Sequence, residues 1–144
     1  MLFYDVELLT MPKIKYNCAL TSENYRAHIG ENPRLLELCL VDRGECIFVG
    51  ANGTLACESG HLYPLLFTKN SEMYSENGGA VRMYSVGLEC DFNVGVINSE
   101  KLSEEETRAL MKNLLSGNRF LLPAEGLSTL ACDWLLPYVK KIVS

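Results

Sequence analysis

The sequence predicts a mainly β protein, in which a β-barrel is followed by two C-terminal α-helices. Between residues 35 and 67, short apolar runs are separated by turns that contain Gly or Asn, which is typical of consecutive antiparallel strands joined by tight hairpins. Both faces of these strands are largely apolar, which indicates a sheet covered on both sides. Beyond residue 98, apolar residues recur at helical spacing.

The N-terminal part predicts two strands and a loop. Residues 3–8 and 13–19 alternate between apolar and polar side chains, as strands with one buried face do. Residues 21–33 are polar and include Gly and Pro, which predicts a loop or a single helical turn.

The central strands predict a carboxylate on an apolar face. In the first of them, alternate positions carry leucine, so Glu37 and Cys39 lie on the other face. A tight turn at residues 42–44 preserves this alternation, and Cys46 and Phe48 therefore share the face of Glu37. A carboxylate in such surroundings needs hydrogen-bond donors or water, which makes Glu37 the sharpest candidate for a binding site.

Later strands add aromatic side chains. Residues 68–79 form a polar connection with one short strand near Met73, and residues 80–92 resume an extended pattern. Tyrosine rings, including those of Tyr16 and Tyr74, can stack on a sugar or an aromatic ligand, although packing alone also explains them. The predicted ligand-binding residues are Glu37, Cys39, Phe48, Tyr63 and Tyr84.

Two helices are predicted near the C-terminal end. Ser103 and Glu106 match a capping box, which predicts a helix over residues 104–115. A second apolar stripe follows, with Ser128 as its N-cap. This stripe either covers the barrel or forms a homodimer interface. The predicted interface residues are Leu127, Leu130, Trp134 and Tyr138.

The spacing of the turn glycines resembles the first conserved block of the cupin barrels. Glu37 is followed by Gly44, then by Asn52-Gly53 and by Ser59-Gly60. In particular, residues 40–64 resemble the N-terminal sensor domain of AraC-type transcription regulators.

This resemblance implies a cupin-like barrel, a double-stranded β-helix or jelly roll, at residues 1–98, with its leading segment as an arm near the barrel mouth. It implies a helical dimerisation and linker segment at residues 99–144. The chain stops inside a helical pattern, so we expect it to be the N-terminal portion of a longer protein whose helix-turn-helix domain lies downstream. The expected function is to sense a small-molecule effector, such as a sugar, and to form a homodimer.

The histidines argue against the enzymes of the same fold. Metal-binding cupins place a His-x-His pair shortly before the glutamate, whereas residues 30–33 contain no histidine, and the chain has only His28 and His61. A transition metal needs about three protein ligands. We therefore expect no metal, no cofactor and no enzymatic activity. The alternatives are a freestanding cupin isomerase or dioxygenase, and a barrel that only dimerises.

Net charge and cysteine spacing limit the partners and the location that the sequence predicts. The formal net charge is −5 and no segment concentrates Lys or Arg, so DNA contact is expected only through the missing domain. The six cysteines lack any Cys-x-x-Cys spacing, which predicts buried reduced thiols in a cytoplasmic protein. Cys39 and Cys46 are the pair with the spacing of cross-strand neighbours. The N-terminus has neither a basic region nor a long apolar core, so no membrane anchor is expected.

Overall fold

The computed structural model describes residues 1–28, 34–51, 53–115, 117–129, 137 and 141. These residues are mainly β and form three antiparallel sheets and one α-helix whose bounds are described, and Pro137 and Lys141 are also helical. In chain order the elements are β1 (Leu2–Leu8), β2 (Lys13–Ser22), β3 (Arg26–His28), β4 (Leu35–Arg43), β5 (Cys46–Gly50), β6 (Gly53–Cys57), β7 (His61–Phe67), β8 (Glu72–Ser75), β9 (Val81–Glu89), β10 (Phe92–Asn98), α1 (Glu104–Leu114), β11 (Arg119–Pro123) and β12 (Leu127–Ser128).

Two of the sheets share a buried core. The first has the strand order β12-β7-β4-β9-β2, and the second has the order β3-β8-β5-β6. Side chains from both sheets form one cluster of buried apolar residues that includes Cys39, Cys46 and Phe48. Glu37 has the same parity as Cys39 on β4 and is also buried. The predicted alternation of inward and outward residues is therefore confirmed.

The connection between β4 and β5 differs from the prediction. The two strands lie in different sheets, so residues 42–44 carry the chain from one sheet to the other and do not close a hairpin. Gly44 has a φ of +76°, and a Cβ at this position would overlap the carbonyl oxygen of Ala80. A turn was expected here because glycine can adopt a positive φ, but the two strands that the turn joins pair with other strands and not with each other. The hairpin between β5 and β6, in which Gly50 pairs with Gly53, is confirmed.

A third sheet covers part of the outer face of the first. Its strand order is β10-β1-β11, and Val6 and Phe92 from this sheet pack with Leu36 and Leu66 from the first. This covering explains why β4 has an apolar residue at Leu36 on its outer face, whereas Leu40 packs with Tyr84 and Leu38 is exposed. The sequence predicted neither β10 nor β11. The segment that the resemblance implied as an arm, β1, is the central strand of this sheet.

The C-terminal region is only partly helical. Helix α1 is confirmed, with its capping box between Ser103 and Glu106, but it has no buried residue. Met111 is 61% exposed and Leu115 is 87% exposed, so this helix does not cover the sheets. None of the helices in the described ranges is both long and apolar enough to cross a membrane.

The predicted start of the second helix is wrong. Leu127 and Ser128 form β12, which pairs with Leu62 and His61 of β7. A turn at Gly126, with a φ of +81°, brings the chain onto that strand, and strand pairing replaces the expected helical turn. The other residues of the predicted dimer interface, Leu130, Trp134 and Tyr138, lie outside the described residues.

The polar segment before β4 also contains an unexpected strand. Arg26–His28 forms β3 and pairs with β8, where a loop or helical turn was predicted. The partner strand Glu72–Ser75 lies more than forty positions further along the chain, so no local pattern announces this pairing. The short strand predicted near Met73 is confirmed as β8.

Candidate functional site

Three neighbouring strands bring Glu37 and Tyr16 together. Glu37 on β4 and Tyr16 on β2 are both in register with Gly87 on the intervening strand β9. Because Gly87 has no side chain, the Tyr16 ring lies over it, and a Cβ at Gly87 would overlap that ring. The Tyr16 hydroxyl donates a hydrogen bond of 2.6 Å to Oε1 of Glu37. The glycine thus makes the contact possible.

Glu37 is a buried carboxyl group with neutral hydrogen-bond partners. It is 6% exposed, and besides Tyr16 it accepts a hydrogen bond from the side chain of Ser85. Among the residues that the structure describes, it forms no ion pair. Burial raises the pKa of Glu37, and the hydrogen bonds from Tyr16 and Ser85 act in the opposite direction. Burial, followed by the nearby Glu37 charge, raises the pKa of Tyr16.

These groups line a cavity of about 300 Å³. Its wall consists of Tyr16, Cys18, Leu20, Tyr25, Ala27, Leu35, Glu37, Phe67, Met83 and Ser85. Cys18 is exposed, whereas Glu37 and Phe67 are buried, so the cavity leads from the protein surface to the carboxyl group. Three aromatic residues, two of them tyrosines, one carboxyl group and one serine therefore line a space of ligand size.

The structure brings only Glu37 of the predicted site residues into this cavity. Cys39, two residues after Glu37 on β4, is fully buried and does not line this cavity. Phe48 lines a separate cavity of about 480 Å³, and its ring meets that of Phe67 edge-on at 4.9 Å between centroids. The charged side chains that line the larger cavity, Arg34 and Glu125, are not buried, whereas the smaller cavity contains a buried ionisable group that meets other polar groups. We therefore take the Glu37 cavity as the candidate site.

The two predicted tyrosines have structural hydrogen bonds. Tyr63 is buried in the core, and its hydroxyl accepts a hydrogen bond of 2.8 Å from the backbone amide of Glu58. Tyr84 lies on the opposite face of the first sheet from Glu37, packed with Leu40. Its hydroxyl accepts a hydrogen bond of 3.1 Å from Nε of Arg82. Neither tyrosine lines the Glu37 cavity.

Three polar residues of the cavity were not among the predicted binding residues. Tyr16 was noted only as an additional ring, although its inward position follows from the alternation of β2. Ser85 lies on the same face of β9 as Met83, which faces the core, whereas the prediction took the opposite face, that of Tyr84, as the inward one. Tyr25 precedes β3 in a segment read as a polar loop, and nothing local marks it as a cavity residue.

The buried thiols near the cavity are poor nucleophiles. Burial raises the pKa of Cys46 to about 11 and that of Cys57 to about 12, so both are protonated at neutral pH. Cys39 and Cys46 are not cross-strand neighbours, because Cys46 pairs with Cys57. Cys39 and Cys46 instead direct their Sγ atoms at Sδ of Met83, at 3.7 and 3.6 Å. The cysteines in the described ranges are free.

The arrangement suits the binding of a small molecule. An ionised carboxylate offers about four lone-pair positions, and Tyr16 and Ser85 use two of them. In the described part of the chain, no group of three or more His, Cys, Asp or Glu side chains is placed to hold a metal ion. Comparison with protein-family models, with curated proteins and with solved structures finds no match to this chain.

Proposed function

We propose that this chain is the effector-sensing and dimerisation domain of an AraC-type transcription regulator, and that its effector binds in the Glu37 cavity. The observation that carries the proposal is the buried carboxyl group of Glu37. Its only described hydrogen-bond partners are the neutral side chains of Tyr16 and Ser85. It lies at the inner end of a cavity that opens beside Cys18. Burying such a group is unfavourable unless its hydrogen bonds are satisfied, and a ligand can supply the remaining ones.

The strand order supports the cupin-like part of the proposal. The eight strands β2 to β9 fall into two sheets with the orders β2-β9-β4-β7 and β3-β8-β5-β6. Eight antiparallel strands divided between two facing sheets are the arrangement of jelly rolls, which include the cupins. Ligands of β-barrels commonly bind between or at the mouth of such sheets, and the Glu37 cavity lies on the inner face of the first sheet.

Sensing requires that the effector bind one arrangement of the chain better than another. The cavity wall includes Tyr16 and Cys18 from β2, and Tyr25 and Ala27 from the segment that leads through β3. An effector in contact with these residues would stabilise the segment over Glu37. In the proposed regulator, this change alters how the C-terminal segment pairs in a homodimer, through Leu127, Leu130, Trp134 and Tyr138, and DNA is contacted by a domain outside this sequence.

A thermal-shift screen of sugars, amines and other small metabolites tests the binding step. A ligand present at about one hundred times its dissociation constant should stabilise the fold by about 2.7 kcal/mol. Cys18→Trp places a large side chain at the exposed mouth of the cavity, and Ala19→Trp places the same side chain on the other face of β2. We expect the stabilisation to be lost in the first variant and retained in the second.

Two outcomes would contradict the proposal. Equal stabilisation in both tryptophan variants would place the ligand elsewhere, and a library in which no compound raises the melting temperature would remove the sensing function. Sedimentation at several concentrations tests the homodimer, since a monomer at all concentrations contradicts it. Stoichiometric iron, manganese or zinc in the purified protein would favour the enzyme alternative.

A further inference from the structure

We infer that the ligand of the Glu37 cavity is a small organic cation, a protonated amine or guanidinium group on a short apolar body, and not a neutral sugar. This inference rests on the proposed function and specifies the chemical class of its effector. It depends on three observations: the charge of the cavity lining, the aromatic rings around it and its size.

The first observation is a buried carboxyl group with no positively charged group among the residues that line the cavity. Glu37 is the one charged side chain among the residues that line the cavity, where Lys, Arg and His are absent. Its described hydrogen-bond donors, Tyr16 and Ser85, are neutral. Moving a carboxylate out of water is costly unless an opposite charge accompanies it. A neutral polyol can form hydrogen bonds with the carboxyl group but cannot compensate the charge that it acquires on ionisation, whereas a cation does both.

The second observation is the aromatic lining. The rings of Tyr16, Tyr25 and Phe67 come from three different parts of the chain and surround the same space as Glu37. Aromatic faces attract cations, and the attraction is stronger where water is excluded. Elsewhere in the chain aromatic rings already have a cation, as where the Arg26 guanidinium lies 5.5 Å from the Tyr74 ring centroid. The cavity has the rings and the carboxyl group but no described cation of its own.

The third observation is the size and the overall charge. A volume of about 300 Å³ is at the lower end of the range for small-molecule sites, so the ligand has few heavy atoms. The apolar side chains of Leu20, Leu35 and Met83 complete the wall and favour a short apolar body. The net charge of −5 gives the molecule a field that attracts cations over anions.

Matched ligand pairs test the charge requirement on the full chain. Benzylamine and benzyl alcohol differ mainly in the cationic group, as do butylamine and butanol, and a panel of neutral sugars provides a third class. We expect the amines to raise the melting temperature and to bind at least tenfold more tightly than the alcohols in calorimetric titrations, whereas sugars give no shift.

Charge variants locate the effect. Glu37→Gln keeps the shape of the side chain and should weaken amine binding at least tenfold, while Glu105→Gln makes the same charge change on the exposed helix α1 and should leave it unchanged. If Glu37→Gln does not fold, Tyr25→Leu removes one ring and keeps the carboxylate, and it should weaken amines more than alcohols.

The outcomes separate this inference from the proposed function. If sugars or alcohols stabilise the protein and amines do not, the ligand is not a cation, although the cavity remains a binding site. If Glu37→Gln and Tyr25→Leu bind amines as tightly as the original chain, Glu37 and the aromatic lining do not recognise the cation, and the inference is wrong. If no compound of any class binds, the proposed effector site itself is wrong.

Discussion

At the scale of single residues, the site depends on a glycine. Gly87 lies between Glu37 and Tyr16 in the sheet, and the Tyr16 ring occupies the space over it. The phenol hydroxyl therefore reaches a carboxyl group two strands away. Any side chain at position 87 would separate the two groups, which makes this glycine a positioning residue for the cavity.

Gly87→Ala should destabilise the protein by about 1–3 kcal/mol, because the new methyl group overlaps the Tyr16 ring and forces it from its place. Urea denaturation measures the change. Gly95→Ala in β10 is the matched control, since a Cβ there meets no atom within 4 Å, and it should have little effect. Equal effects of the two substitutions would show that the ring does not depend on Gly87.

The pH dependence of stability should report the buried carboxyl group. Burial raises the pKa of Glu37 in the folded chain, so between its ordinary pKa and this raised value the folded state holds more protons than the unfolded state. Stability due to Glu37 is then full at low pH, falls as the pH rises through this window, and levels off above it. Glu37→Gln lacks this titration.

The difference in unfolding free energy between the original chain and Glu37→Gln should therefore change in favour of the glutamine variant as the pH rises from 4 upward. Urea titrations at several pH values measure this difference, and contributions of other groups cancel in it. A difference that is constant, or that changes in favour of the original chain with rising pH, would contradict a raised pKa.

At the scale of elements, helix α1 is a locally encoded structure. Its capping box, with Ser103 and Glu106 bonded to each other's backbone amides, was readable from the sequence. Its first turn has three acidic residues, whose negative charges interact favourably with the helix dipole. None of its residues is buried. Because packing contributes little, its stability depends on these local interactions more than that of a core element does.

Ser103→Ala should lower the stability of α1 by about 1 kcal/mol, because the amide of Glu106 loses its side-chain acceptor. Hydrogen exchange of the α1 amides measures the local opening, and we expect roughly fivefold faster exchange there with unchanged exchange in β4 and β9. Glu105→Asp, which keeps the acidic charge in the same turn, is the control. Slower folding or faster exchange throughout the molecule would show that the helix is more than a local structure.

At the scale of the whole molecule, the sheets join distant parts of the chain. β11 pairs with β1, and an ion pair of 2.8 Å between Arg119 and Asp5 links the same strands. β12 pairs with β7. Residues beyond 98, implied by the resemblance to be a helical segment, therefore contribute strands to two of the three sheets.

Truncation after residue 98 should destabilise the fold far more than truncation after residue 129. The shorter chain loses β11, whose Phe120 and Leu122 pack against the cluster around Val6 and Phe92. It also exposes an edge of β1 that is paired in the longer chain. Urea midpoints of the two truncated chains measure the difference, and equal midpoints would show that residues 1–98 fold independently.

The sequence by itself determined the features that depend on near neighbours. Alternation along β4 predicted that Glu37 and Cys39 face inward, turn glycines predicted where strands end, and Ser103 with Glu106 predicted α1. These predictions hold because side-chain parity and capping involve residues only a few positions apart. Glu37 was found in this way, as a carboxylate on an apolar strand face. For β9 the alternation was recognised, but Tyr84 was taken as inward and lies on the outer face.

Only the tertiary structure decided which strands pair and which side chains meet Glu37. The link at Gly44 changes sheets, Leu127–Ser128 is a strand and not a helix start, and Tyr25 reaches the cavity from a segment that reads as a loop. Each depends on contacts between residues far apart in the chain. Such pairings are selected by burial and by backbone hydrogen bonds of the assembled sheets, which no local pattern contains.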